Sequence, residues 1–190
     1  MSHVIAFSSF SIMKKPYGDP VVAGFEALTP PVFEVAEKSP GFIARAKETD
    51  DLHHLGNFER DWGDWGEFAV PSYYDGGFTI PTETRAGTLS LWEDVQSVYD
   101  FTYGGLHGRA FRQRHKWFRK IDFPTHVIWW VPRGKIPSWK QSVIRYDHLN
   151  EHGPTAFAFD FSTIFDQHGS PEPDLQDLED AGESPRRSDR

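Results

Sequence analysis

HVIWWVPR, residues 126–133, is a nearly continuous apolar run that ends on proline and arginine. It is shorter than an ordinary helix and lacks the alternation of a half-buried strand, so it predicts a strand covered on both faces. Such a strand needs a sheet around it. HVIAFSSFSI (3–12), GFIARAKE (41–48), TLSLWE (88–93) and AFAFDF (156–161) read as its companions. Between them, Asp19 with Pro20 opens a helix that Pro30-Pro31 should interrupt before VFEVAEKS resumes it. Asp94 caps the helix VQSVYDFTY, and Gly104-Gly105 separates it from a further helix of about residues 106–121. Ser138 and Gln141 form an S-x-x-Q capping box, and Gly153-Pro154 stops the last helix. The order β-α-β-loop-β-α-β-α-β predicts an α+β, ferredoxin-like fold: an antiparallel sheet with helices on one face. The other face then lacks a cover, and a second copy of the sheet, giving a dimeric α/β barrel, is the simplest one.

The chain has 190 residues, long enough to bury a core, and no cysteine. A cysteine nucleophile, a thiolate metal site and an iron–sulfur cluster are excluded. The apolar stretch at the N-terminus is short and broken by serines, which argues against a signal peptide or a membrane span; a cytoplasmic protein is expected. Residues 1–165 are read as one domain and 166–190 as an acidic disordered tail. That tail holds eight acidic residues against three arginines, and all seven tryptophans and sixteen phenylalanines precede it. Residues 49–87 form a long loop without sustained period, rich in aromatic residues, that reads either as a lid over a pocket or as an extension packed outside the domain or on a second subunit.

At 100° per residue the 106–121 helix sorts into two sides. Arg109, Arg112, Lys116, Arg119 and Lys120 share one side, which in an acidic protein without a nucleic-acid motif reads as a solvated surface, so no nucleic-acid partner is expected. The opposite stripe holds His107, Ala110, Phe111, Arg114, Phe118 and Ile121. His107 lies in the first turn, where the helix dipole disfavours imidazolium and keeps a neutral ring able to act as base, hydrogen-bond partner or ligand. Arg114 stays charged and can hold a carboxylate, phenolate or enolate. Purely structural roles are the alternative: His107 bonded to a backbone carbonyl, Arg114 paired with Glu93 or Asp147. His148 and His152 are four residues apart but lack the HExxH pattern, and no metal site is assigned.

LSLWED, LHGRAFRQRHKWF, HVIWWVPRGKIPSW and RYDHLNEHGPTAFAFDF, in that order, resemble the domain-of-unknown-function family 3291, well over 88–161 and more weakly over 3–48. That family is similar to the antibiotic-biosynthesis monooxygenases and other dimeric α/β-barrel proteins. The resemblance implies sheet pairing in a homodimer and a pocket between sheet and helices. It matches His107 to the family's helix histidine, Trp92 to its strand tryptophan and Trp117-Phe118 to its closing pair. Ser9 stands where cofactor-free oxygenases carry a polar side chain on the first strand. The expected protein is therefore a monooxygenase-like enzyme acting on an aromatic or polyenic metabolite, with no membrane partner and no cofactor required. His107 would assist deprotonation and Arg114 would stabilise the anion. Ser9, Trp92, Phe111, Trp117, Phe118 and Trp130 would contact the substrate. The alternatives are a haem-binding protein with His107 as axial ligand, and a lyase, isomerase or cyclase using the same pocket.

Overall fold

A computed structural model of the chain describes residues 2–47, 62–79 and 81–172. Residues 49–61 and 80 of the expected loop, residue 48 at the end of the expected second strand and most of the expected tail (173–190) lie outside the described residues. The first strand, β1 (His3–Ile12), is followed by helix α1 (Ala23–Lys38) and strands β2 (Phe42–Arg45) and β3 (Arg85–Trp92). Helices α2 (Val95–Tyr103) and α3 (Gly105–Gln113), strand β4 (His126–Pro132) and helix α4 (Trp139–His152) come next, and a small hairpin of β5 (Ile164–Phe165) and β6 (Pro171–Glu172) closes the order. The four main strands form one sheet in the order β2-β3-β1-β4, every neighbouring pair antiparallel. With one crossover through α1 and one through α2 and α3, this is the ferredoxin-like α+β arrangement.

β1 lies in the middle of the sheet and its alternation separates two cores. Ile5 and Phe7 point to the side of Ala36 in α1 and of Val95 and Val98 in α2, where Trp92, Ile128 and Phe159 join them. Val4, Ala6, Phe10 and Ile12 point the other way, to Trp139, Tyr146 and Leu149 of α4 and to Trp65 of the aromatic segment. The buried positions of α4, Trp139, Ser142, Tyr146 and Leu149, recur every three or four residues and so form one stripe. α1, α2 and α3 thus occupy one face as expected, while α4 and residues 62–74 cover the other. The expectation that this face lacks a cover within the chain is corrected: α4 and residues of the aromatic segment pack on it, with the Tyr146 hydroxyl donating to the Ser8 carbonyl at 2.8 Å.

Several boundaries differ from the sequence reading. α1 runs unbroken through Pro30 and Pro31. Each proline removes one backbone donor, but Phe25 and Ala36, on either side of the pair, are both anchored by packing. α3 stops at Gln113 and passes through a 3-10 turn, Arg114–Lys116, after which Phe118 bridges to Met13 beside the sheet. Residues 156–161 do not form a strand. Phe159 alone exchanges two backbone hydrogen bonds with Ile128, at 2.7 and 3.0 Å. β5 and β6 pair antiparallel, Ile164 opposite Glu172 and Phe165 opposite Pro171. Two expected caps are present: Asp94 accepts from the Ser97 N–H at 2.7 Å, and the Ser138–Gln141 box is reciprocal, whereas α1 begins at Ala23 and Asp19, expected to open it, accepts instead from the Val21 N–H at 2.8 Å in the turn before.

Candidate functional site

The register of β1 with its neighbours stacks side chains in rows across the helix-covered face. The first row is Trp92, Ile5 and Trp130, the second Ser90, Phe7 and Ile128, and the third Thr88, Ser9 and His126. Residues opposite each other in adjacent strands carry Cβ atoms about 4.5–5.5 Å apart. The surface therefore turns from indole and aliphatic groups to two hydroxyls and an imidazole over two strand steps. Ser9 Oγ and Thr88 Oγ1 share a hydrogen bond of 2.7 Å. Both residues are partly exposed, although Ser9 sits on a strand paired on both sides, so its exposure lies on its side-chain face.

Aromatic rings line this face. The His126 ring lies 6.2 Å from Phe7 and 5.1 Å from Phe161, Phe161 lies 5.6 Å from Tyr103, and Tyr103 lies 5.5 Å from Phe111. Phe111 is 6.4 Å from His107, and His107 packs at 4.6 Å on Phe101, which in turn stacks on Trp92 at 5.2 Å. A continuous series of rings therefore joins two histidines. α3, which carries His107 and Phe111, packs chiefly on α1 and α2.

His107 Nδ1 lies 2.7 Å from the Thr102 carbonyl; a carbonyl only accepts, so Nδ1 carries the proton and Nε2 the lone pair. Burial pushes its pKa below the usual histidine value, against the raising effect of that hydrogen bond. His126 is shifted in the same direction, again by burial, with the Asp160 carboxylate opposing it. Its Nε2 is enclosed and has no hydrogen-bond partner. Burial raises the Tyr103 pKa, with a further raising effect from Tyr99; Arg114 lowers it and Asp160 raises it, so charges of both signs stand beside this phenol.

The structure divides the expected site residues among several places. His107, Phe111 and Arg114 stay together, but the end of α3 at Gln113 turns Arg114 out of the buried stripe. It is exposed, with its guanidinium 3.9 Å over the Phe111 ring and Nη1 donating to the Phe111 carbonyl at 2.9 Å. Glu93 and Asp147, its possible acid partners, are engaged elsewhere, by Arg133 and Ser72. Ser9 lies in the polar row. Trp92 is buried, edge-on to Phe42 at 5.2 Å, with Nε1 donating to Ser90 Oγ at 2.9 Å. Trp117 and Phe118 pack on Phe25 of α1, at 6.4 and 4.9 Å. Trp130 donates from Nε1 to the Phe165 carbonyl at 2.7 Å and lines an open cleft of about 490 Å³ at the sheet edge with His3, Glu93, Asp166 and His168. A smaller cleft of about 190 Å³ lies beside Phe101, between Pro40 and Gly104.

His126, Tyr103, Asp160 and Phe161 were missed by the sequence reading. The available signal was the register of HVIWWV: if Ile128 and Trp130 face the helices, so does His126 two residues earlier. The five basic residues assigned to water are all exposed, and Arg119 forms a two-pronged pair with Asp75 at 2.7 and 2.9 Å. His148 Nε2 bonds Thr155 Oγ1 at 2.9 Å, and no group of three or more metal-ligating side chains is gathered among the described residues.

Sheet order and helix placement define an α+β protein of ferredoxin-like arrangement. More particularly, the family model described as Domain of unknown function (DUF3291) matches residues 4–177, and the chain belongs to that family. No curated protein and no solved structure matches the chain. Among the described residues no helix is long and apolar enough to cross a membrane.

Proposed function

We propose that the chain is an enzyme acting on a small aromatic or polyenic metabolite held between the sheet and the helix layer. The observation that supports this best is the series of rings from His107 through Phe111, Tyr103 and Phe161 to His126, which runs along a sheet face whose third row is polar. Flat apolar walls with a few polar groups suit a flat ligand bearing one or two oxygens. His107 acts as the base. Its Nδ1–H is anchored on Thr102, its ring is kept neutral by burial, and Nε2 is left to accept a proton from a phenol or enol. Arg114, at the rim beside Tyr103, supplies positive charge toward the resulting anion.

In the monooxygenase-like version the electron-rich anion then reacts with dioxygen, one oxygen atom entering the ring and the other leaving as water, with the substrate itself supplying the electrons as the phenol becomes a quinone. The test is oxygen uptake with a panel of naphthols and polyphenols. Loss of uptake in folded His107→Ala supports the reading, and uptake unchanged in that variant defeats it. Anaerobic turnover by the wild type would move the activity to the lyase, isomerase or cyclase class. Haem is the alternative occupant, because a histidine held through one ring nitrogen presents the other in a fixed direction to a metal. A Soret band on haemin addition, abolished in His107→Ala, would establish that reading. A cytoplasmic location belongs to the proposal on the cysteine-free composition. A homodimer would use a surface other than the sheet face that α4 covers, and light scattering decides whether one forms.

A further inference from the structure

The third row lies on the face of the sheet that carries α1 and α2 over its first two rows, and there the face turns polar. Thr88, Ser9 and His126 lie side by side on three adjacent strands, two steps from the row Trp92, Ile5, Trp130. An enclosed polar atom is costly unless it finds a partner. The row satisfies itself only in part. The Ser9 and Thr88 hydroxyls use one of their two protons on each other, leaving one to donate outward and lone pairs to accept. His126 has no partner at Nε2. Ser9, Thr88 and His126 are nevertheless all partly exposed, with Phe7 and Phe161 beside the imidazole.

We propose that Thr88, Ser9 and His126 form the oxygen-binding end of the ligand site, taking a hydroxyl or carbonyl oxygen of a flat ring whose hydrocarbon part packs on Phe7 and Phe161. The proposal rests on the reading of the sheet–helix space as the ligand site, but it is independent of whether His107 acts as a base there. The row contains a donor and several acceptors without fixed charge, so it fits a neutral phenol, enol or ketone better than a carboxylate or phosphate. The Asp160 carboxylate near His126 disfavours anions further.

The test is a titration of the full chain with 1-naphthol and with naphthalene, which differ only in the hydroxyl, followed by nitrogen-15 NMR of the histidine side chains. 1-Naphthol is expected to bind at least tenfold tighter than naphthalene and to shift the ring nitrogens of His126. Ser9→Ala and Thr88→Val are each expected to weaken 1-naphthol about three- to tenfold, the worth of one hydrogen bond, and to leave naphthalene unchanged. Because both positions are partly exposed, these variants should fold, and circular dichroism checks that they do. Equal affinity for the two compounds, binding of neither, or binding of 1-naphthol with His126 unmoved would overturn the proposal. Hydroxyl-dependent binding without any turnover would defeat the enzymatic reading of His107 and leave the oxygen-binding row standing.

Discussion

The two faces of the sheet are built from alternate residues of the same strands, yet they are finished differently. On the α4 face, Val4, Ala6, Ser8, Phe10 and Ile12 are all buried, and Trp65, Trp139, Tyr146 and Leu149 close over them. The Trp139 ring meets Phe68 at 4.6 Å and Trp62 at 5.1 Å. On the face of α1, α2 and α3, Ile5 and Phe7 are buried, but Ser9 and Ser11 further along the strand are partly exposed. One face is a closed core. The other begins as a core and ends as a polar surface lined by rings, which is what a domain needs if one side stabilises it and the other meets a small molecule.

The largest effect should come from the closed face. Trp139→Ala removes a 3 % exposed indole from the aromatic cluster and should cost about 3–5 kcal/mol in urea unfolding, the range for a large aromatic truncated in a core. A cost below about 1 kcal/mol would mean that this face is not the main core. Next is Gly108, one residue after His107. A Cβ there would stand 2.0 Å from the Tyr103 carbonyl oxygen, a backbone atom that cannot swing aside. Gly108→Ala should cost about 1–3 kcal/mol by overpacking the α2–α3 junction and should move the His107 ring signals; unmoved signals would separate the junction from the site.

A smaller effect is expected from pH, and it belongs to the open face. His107 and His126 both titrate lower in the folded chain than the usual unfolded value of about 6.5. The unfolded state therefore binds more protons just below that pH, so stability is level above about 6.5 and falls as pH drops toward the folded values. The urea midpoint at pH 5.5 should lie below that at pH 7.5. His107→Phe should flatten the slope, and an unchanged slope would mean that the ring is not held neutral by the fold. The smallest effect is Ser9→Ala, expected to change stability by no more than about 0.5 kcal/mol, since a partly exposed hydroxyl on the open face supports little packing. A cost comparable with that of Trp139→Ala would erase the difference between the faces.

Much of the frame is legible from local signals. β1, β4, the Asp94 cap and the Ser138–Gln141 box all follow from short-range chemistry, and each lies close to where its residues place it. Where tertiary packing competes with a local rule, the local rule loses. Pro30-Pro31 should break α1, but Phe25 on one side of the pair and Ala36 on the other are held against the rest of the domain. The helix expected to run to residue 121 stops at Gln113, because Phe118 is drawn into a bridge with Met13. That early end moves Arg114 from the buried stripe to the surface, an outcome no helical wheel can show.

The candidate site has the same split. His107 stands out in the sequence as a polar residue on an apolar stripe near two glycines, and Gly105, with φ of +46°, does open α3 in a conformation that favours glycine. His126 does not stand out, because a histidine before an apolar run reads as the end of a strand. Only the cross-strand register makes it a neighbour of Ser9 and Thr88, both of which come more than thirty residues earlier in the chain. By itself the sequence determined the alternation of strands and helices, the helix caps and an interior rich in aromatic side chains. Those depend on each residue and its near neighbours along the chain. Tertiary structure alone decided that α4 covers the second face and that three polar side chains form one row, because burial and strand register are properties of residues distant in sequence, set only when the sheet assembles.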